Sequence, residues 1–238
     1  MAQINIVVPV YNEEKILEKN ITKIVSYCQK NIKDSWQIII ADNDSSDQTA
    51  ILAKQFSSQN CQITYYYLPK RGKGLAIKQA WQNFLADFYI FMDADLSTDI
   101  NALNDLITIL KNNEADLVIG SRYLKESHLK RNWMRIFISK TYNALIKLLF
   151  NCSVKDMANG FKGANQKIIT DILPLCQNNE WFFDSELVLL ANFKKYRIKE
   201  IPINWQENLE RASRVNVWQT SWEYLKELIK LKFRLHKS

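Results

Sequence analysis

Five short apolar runs with β character recur through the first half of the chain, at residues 4–10, 36–41, 63–68, 89–92 and 117–120, and each closes on polar residues. Helical patterns separate them; Ile16, Leu17, Ile21, Ile24, Val25 and Cys28, for example, fall on one helix face. Strands alternating with helices predict an α/β fold, a Rossmann-like, mostly parallel sheet sandwiched by helices, from Ile4 to Arg122. Ligands of such sheets collect outside the carboxyl ends of the strands, so the residues after each run carry the functional information.

The fourth run, Tyr89-Ile90-Phe91-Met92, stops at Asp93-Ala94-Asp95. Two hard oxygen donors at that spacing suit Mg²⁺ or Mn²⁺ carrying a diphosphate; an acidic turn before a helix is the plainer alternative. The second run ends in Asp42-Asn43-Asp44-Ser45-Ser46-Asp47. Acids there can accept hydrogen bonds from a base or ribose, although Ser46 and Asp47 read as turn and cap residues. Pro9 closes the first run, and Asn12, followed by two glutamates, is the expected N-cap of the first helix. Pro69-Lys70-Arg71-Gly72-Lys73-Gly74 opens a helix with cations and exposed backbone N–H groups, a setting that favours phosphate.

Several classes drop out. The Arg-Gly-Lys-Gly stretch is not a P-loop, and no Gly-x-Gly-x-x-Gly follows the first strand. Four scattered cysteines and two histidines argue against a zinc site or disulfide framework and fit a reducing cytosol. The N-terminus lacks a signal-peptide pattern, and no stretch reaches the ~20 apolar residues of a membrane span. A net charge of +7 permits a polyanionic partner: nucleic acid, an anionic membrane surface or phosphorylated substrates. Acidic strand ends around the cleft argue against nucleic acid.

After Arg122 the pattern changes. Lys125, Lys130, Arg131, Arg135, Lys140 and Lys147 interleave with Trp133, Met134, Phe137, Ile138, Leu145, Leu148 and Leu149. Helical period gathers the apolar set on one face, with Ser139, Lys140, Asn143 and Lys147 opposite. Residues 151–164 read as loop with at most a short strand. A helix from about Phe183, a strand at 197–203 and a basic amphipathic helix at 217–233, with Trp218, Trp222, Leu225 and Ile229 on one side, complete the chain. Trp205 and Trp218 read as core.

Val8-Pro9-Val10-Tyr11-Asn12-Glu13-Glu14, the 42–49 acidic loop, Arg71-Gly72-Lys73-Gly74, Asp93-Ala94-Asp95 and Gly120-Ser121-Arg122-Tyr123 form an ordered set. Asp156 through Gly160-Phe161-Lys162, Trp181-Phe182-Phe183-Asp184-Ser185-Glu186 and Ile201-Pro202-Ile203-Asn204-Trp205 extend it. Together they resemble inverting family 2 glycosyltransferases of the GT-A fold, and within them the dolichyl- or polyprenyl-phosphate mannosyl- and glucosyltransferases. The resemblance implies a GT-A domain at 1–210, with a nucleotide-binding part at 1–122 and an acceptor part at 123–210. An interfacial helix near 133–150 and a C-terminal helix at 211–238 accompany it. It implies that Pro9, Tyr11, Glu13 and Asp42 hold base and ribose, and that Asp44, Asp93 and Asp95 surround the diphosphate, the last two binding the metal. Arg122, with Arg135 and Ser139, would take the acceptor's phosphate. Asn43 and Ser45 stand where Asp-Gly is commoner, and Ser97 where mannosyl enzymes often have Gln.

The expectation is transfer of glucose or mannose from UDP-glucose or GDP-mannose to a polyprenyl or dolichyl phosphate, by a protein peripheral on the cytoplasmic face of a membrane. Arg71 or Lys73 and the metal would stabilise the leaving diphosphate. A phosphate acceptor is already anionic; a sugar hydroxyl on a cell-surface glycan, the alternative acceptor, would need a base, for which Asp156, Asp184 and Glu186 are candidates.

Overall fold

A computed structural model describes residues 1–130, 133–206 and 217–236, without the side chains of Arg135 and residues 217–221. The elements in order are β1 (Gln3–Val10), α1 (Glu14–Asn31), β2 (Ser35–Asp42), α2 (Thr49–Gln59), β3 (Ile63–Tyr67), α3 (Lys73–Asn83), β4 (Phe88–Met92), α4 (Ala102–Lys111) and β5 (Leu117–Ser121). There follow β6 (His128–Lys130), α5 (Trp133–Phe150), β7 (Phe161–Asn165), α6 (Gln166–Asp171), a 3₁₀ turn at Leu173–Leu175, α7 (Phe183–Phe193), β8 (Ile198–Pro202), β9 (Asn204–Gln206) and α8 (Val217–His236).

Among the described residues, seven strands form one sheet in the order β3-β2-β1-β4-β7-β5-β8, and β6 pairs β9 in a small second sheet. Strand β1 lies between β2 and β4, parallel to both. The chain thus winds outward to β3, then returns across β1 to β4, which makes the gap beyond β1 and β4 the topological switch point. Alternating side chains serve two layers. Ile4, Ile6, Val8, Ile38, Ile40, Ile90 and Met92 face α1 and α4. Val7, Ile39, Tyr89, Phe91 and Ile119 face the other way, toward Trp81 of α3 and Phe183 and Leu187 of α7. Because both faces are covered, β1, β2 and β4 read as continuous apolar runs rather than alternating ones.

The five expected strands and the helices between them are present. Strand β1 runs through Pro9 to Val10; its pairing with β4 reaches only Val7, so Pro9 has a ladder neighbour on the β2 side alone. Asn12 is not the N-cap of α1. It takes a left-handed conformation, φ 53°, and Glu13 holds the cap position without a side-chain cap bond. Residues 161–165, expected as loop or a short strand, form β7, antiparallel to β4 on one side and β5 on the other. Gly-Phe-Lys-Gly-Ala-Asn has little intrinsic β preference; insertion between two strands imposes it. Gly163 is fitted to that place, since a Cβ there would run into the Leu106 side chain. Strands β7 and β8 complete the same sheet.

Helices α5 and α8 carry apolar side chains both inward and outward. In α5, Ile146 is buried, and Tyr142 and Leu145 pack against the core, while Trp133, Met134, Phe137 and Leu148 point outward. In α8, Leu228 and Leu231 are buried, whereas Trp222, Ile229 and Phe233 are exposed. Both helices are therefore apolar on two sides. The α8 face picked out by periodicity, with Trp222 and Ile229, is the outer one. Trp218 and Arg131 lie outside the described side chains.

Candidate active site

The carboxyl edge of the sheet collects the ends of β1, β2, β4 and β5, and because β7 runs backwards its first residues arrive at the same edge, Phe161 opposite Met92. Asp93 leaves β4 there. Its N–H donates to the Gly160 carbonyl at 3.1 Å, and its carboxylate lies directly on the Gly160 Cα, where any Cβ would overlap it. The next residues turn sharply: Leu96 N–H donates to Asp93 O at 3.3 Å, and Ser97 N–H to Asp95 Oδ1 at 3.0 Å. Leu96 holds φ 49°, a strained conformation for a branched side chain. Strand β9 straps this loop from outside, with Gln206 N–H on Ser97 O at 2.9 Å and Asp99 N–H on Asn204 O at 2.8 Å.

Lys73, on the first turn of α3, reaches Asp93 Oδ1 at 2.8 Å and Asp184 Oδ2 at 2.9 Å, so one ammonium bridges two carboxylates from distant elements. Burial pulls the ammonium down, but Asp184 and then Asp93 outweigh it and hold it above the usual lysine range. Asp184 is buried on the first turn of α7, and its second oxygen, Oδ1, has no hydrogen-bond partner among the described residues. The glycines beside Lys73 are packed against the approach to α7. Leu75 N–H donates to the Asn179 carbonyl at 2.9 Å, and a Cβ on Gly72 or Gly74 would meet residues 179–183. Their small size lets the approach to α7 close over the start of α3.

Arg122 follows β5. Its Nε and Nη2 bond both Asp156 oxygens at 2.7 Å, its N–H takes Oδ2 at 2.9 Å, and both residues are buried. Burial lowers the guanidinium, Asp156 more than offsets this, and the net direction is upward. The edge of the fork expected to receive a phosphate is thus occupied by Asp156. Arg122 also faces the rings of Tyr123 and Trp205, at 5.7 and 5.5 Å, so Trp205 belongs to the site's wall. Ser139 is half-buried on α5; the Arg135 side chain lies outside the described residues. Glu186 bonds Arg234 and the Asn178 N–H, which makes it a structural anchor.

At the β1–β2 end, Arg71 stacks on the Tyr11 ring at 4.5 Å. Asp42 is buried, accepting from Ser45 N–H at 3.0 Å and Tyr65 Oη at 2.9 Å, and Asp44 accepts from Tyr67 Oη at 2.9 Å. The loops are laced together: Asn12 N–H donates to Ser45 Oγ at 2.9 Å, Ser46 N–H to Asn12 Oδ1 at 2.7 Å, and Glu13 N–H to Thr49 Oγ1 at 2.7 Å. Ser45, a departure from the usual Asp-Gly, accepts from Asn12, two residues past β1.

Sequence reading missed Lys162, Tyr65 and Tyr67. Lys162 is fully buried on β7, donates to the Asn159 carbonyl and sits 5.6 Å from the Phe91 ring. Burial drives it down to about 8, against the pull of Asp184. Its signal was its place in the Gly160-Phe161-Lys162 stretch, to which no role was assigned. The tyrosines stand two apart on β3, a period-two signal placing both hydroxyls toward the end of β2. Lys73, Lys162 and Arg122 together balance Asp93, Asp156 and Asp184.

Residues 5–173 match the family described as Glycosyl transferase family 2. The chain belongs to this family. As a family 2 transferase it is 29% identical over 223 residues to the dolichyl-phosphate beta-glucosyltransferase of Saccharomyces cerevisiae, covering 86% of this chain and 67% of that one. The human dolichyl-phosphate beta-glucosyltransferase is 29% identical over 98% of this chain and 75% of its own length. Glycosyltransferase AglD of Haloferax volcanii is 26% identical over 86% of this chain, which spans only 33% of AglD. Among solved structures, glucosyl-3-phosphoglycerate synthase from Mycobacterium tuberculosis, in complex with Mn²⁺, UDP-glucose and phosphoglyceric acid, superposes with a TM-score of 0.73. That alignment covers 97% of this chain and 80% of the other at 17% identity, and with the mostly parallel, helix-flanked sheet it identifies the fold as GT-A-like.

Proposed function

We propose that this chain transfers a hexose, with inversion, from a nucleotide sugar to a polyprenyl or dolichyl phosphate at a membrane surface. The observation that carries the reading is the family match joined to similarity over 86% and 98% of this chain to the yeast and human dolichyl-phosphate beta-glucosyltransferases. Those relatives, and the structural neighbour solved with UDP-glucose, favour UDP-glucose over GDP-mannose as donor.

Asp93 and Asp95 fit a divalent cation. No group of three His, Cys, Asp or Glu side chains gathers among the described residues, and Mg²⁺ or Mn²⁺ characteristically uses one or two carboxylates with substrate phosphates supplying further oxygens. A cation held there would neutralise charge developing on the leaving diphosphate. Gly160 and the Leu96 turn fix the two carboxylates in advance. Tyr11 and Arg71 offer a flat, cationic surface for the base, with Pro9 and Glu13 beside it and Asp42 and Asp44 at the ribose. Lys73 holds Asp93 and Asp184 at a set distance instead of meeting phosphate alone. Arg122 supports the 156–160 turn, so acceptor-phosphate binding falls to Arg135 and Ser139 on α5.

The outward residues Trp133, Phe137, Trp222 and Phe233, with exposed Lys140, Lys147, Lys226 and Lys230, give α5 and α8 the chemistry of an anionic-membrane surface. No described helix is long and apolar enough to cross a membrane.

Assay of purified protein with UDP-glucose and GDP-mannose, each with Mg²⁺ or Mn²⁺ and a short polyprenyl phosphate, tests the reading. Lipid-linked glucose is the expected product; transfer only to glycan hydroxyls would overturn it. Asp184 Oδ1, without a hydrogen-bond partner among the described residues, favours that second reading, because a hydroxyl acceptor needs a base. Full activity of Asp184→Asn on a glycan acceptor would eliminate Asp184 as that base.

A further inference from the structure

Asp184 is gripped from behind. On one side of it in the chain, the Trp181 carbonyl accepts from Tyr224 Oη at 2.8 Å, and the Phe182 ring meets the Tyr224 ring edge-on at 5.7 Å. On the other, Ser185 Oγ bonds Tyr142 Oη at 2.9 Å, and Glu186 Oε1 pairs with Arg234 at 2.6 Å. Tyr224 and Arg234 belong to α8 and Tyr142 to α5, and the two tyrosine rings pack edge to face at 5.2 Å. Desolvation pushes both phenols above the usual range, so both stay protonated as donors at neutral pH. Residues 181, 182, 185 and 186 are thus all fixed by the two outer helices, while Asp184 between them faces inward to Lys73.

We propose that Tyr224 and Tyr142 are positioning residues for transfer: through the Trp181 carbonyl and Ser185 they set the angle at which α7 presents Asp184 to Lys73 and Asp93. The inference rests on the placement of Asp184 in the transferase site. It makes α8 part of the active centre, since misplacing a reacting constellation by about 1 Å can cost about 100-fold in rate. A ring contact alone would not explain why both hydroxyls end on the turn that carries Asp184.

Tyr224→Phe and Tyr142→Phe keep the aromatic packing and remove only the hydroxyls. In the 238-residue chain with donor, Mn²⁺ and polyprenyl phosphate, each should lower kcat by about 5-fold and the pair by about 30-fold or more, with donor KM and melting temperature little changed. In an Asp184→Asn background, Tyr224→Phe should cost nothing further, because the geometry it sets no longer matters; if Asp184→Asn abolishes turnover, Asp184→Glu serves as that background. Unchanged kcat in the tyrosine variants, or the same fold loss in both backgrounds, would overturn the positioning role while leaving Asp184 in place. Wild-type turnover by Asp184→Asn would instead remove Asp184 from the site, a separate failure.

Discussion

The Asp93 carboxylate rests on the Cα of Gly160, the residue just before β7, the strand that runs against the rest of the sheet. The contact joins the end of β4 to the start of β7, and the Asp93 N–H to Gly160 carbonyl bond closes it.

Gly160→Ala should therefore act on Asp93 before it acts on the fold. The new methyl must displace the carboxylate, because the Gly160 carbonyl is tied to the Asp93 N–H and Phe161, next in the chain, is paired with Met92 of β4. The expected result is a loss of about 100-fold or more in transfer together with a weakened response to Mn²⁺. Titration of activity against metal concentration checks it; a wild-type metal response would count against Asp93 as a ligand.

The Arg122–Asp156 pair should behave as a buried ion pair. Asp156→Asn leaves the guanidinium without its charge partner and is expected to cost about 3–5 kcal/mol of stability. Replacing both residues by apolar ones of similar size should cost less than either single change. Urea unfolding of the two singles and the double distinguishes this from a pair that contributes little.

Acid stability should draw on Asp116. Its side-chain bonds with Arg197 are the main cause, aided by the Arg197 N–H and Asn165, and they hold the carboxyl at about 2, below its ordinary 3.8. A carboxyl depressed on folding contributes stability that is present above its unfolded value and is lost as pH falls through the folded one. The contribution, about 1 kcal/mol after allowing for the exposed Arg197, should be complete above pH ~4 and vanish toward pH 2. Comparing Asp116→Asn with the parent across that window by chemical denaturation tests the sign as well as the size.

The outward faces of α5 and α8 should bind anionic vesicles. Replacing Trp133, Phe137, Trp222 and Phe233 by serine removes exposed side chains only, so stability should change little while flotation with phosphatidylserine vesicles drops. Raising salt should weaken binding by the parent through its lysines. Equal flotation of parent and variant would remove this surface from the proposal.

The core sheet was legible because burial on both faces demands unbroken apolar runs, and such runs are local. Asp42, Asp93 and Arg122 stood out because each interrupts one at a strand's end. What periodicity could not resolve was which side of a two-sided helix meets the protein. Trp222 and Ile229 share a face as good as any core face, yet Leu228 and Leu231 are the ones buried. Strand β7 escaped for the related reason that its conformation comes from its neighbours.

The sequence by itself determined the α/β architecture, the edge at which the chemistry-bearing residues emerge, and the family. Only the tertiary structure decided partners. Lys73 belongs to Asp93 and Asp184, Arg122 to Asp156, and the glycines near Lys73 to the packing of residues 179–183. A side chain's type and its strand end are written in neighbouring residues, whereas the opposite charge that meets it lies tens of residues away and is fixed only when the sheet brings the two together.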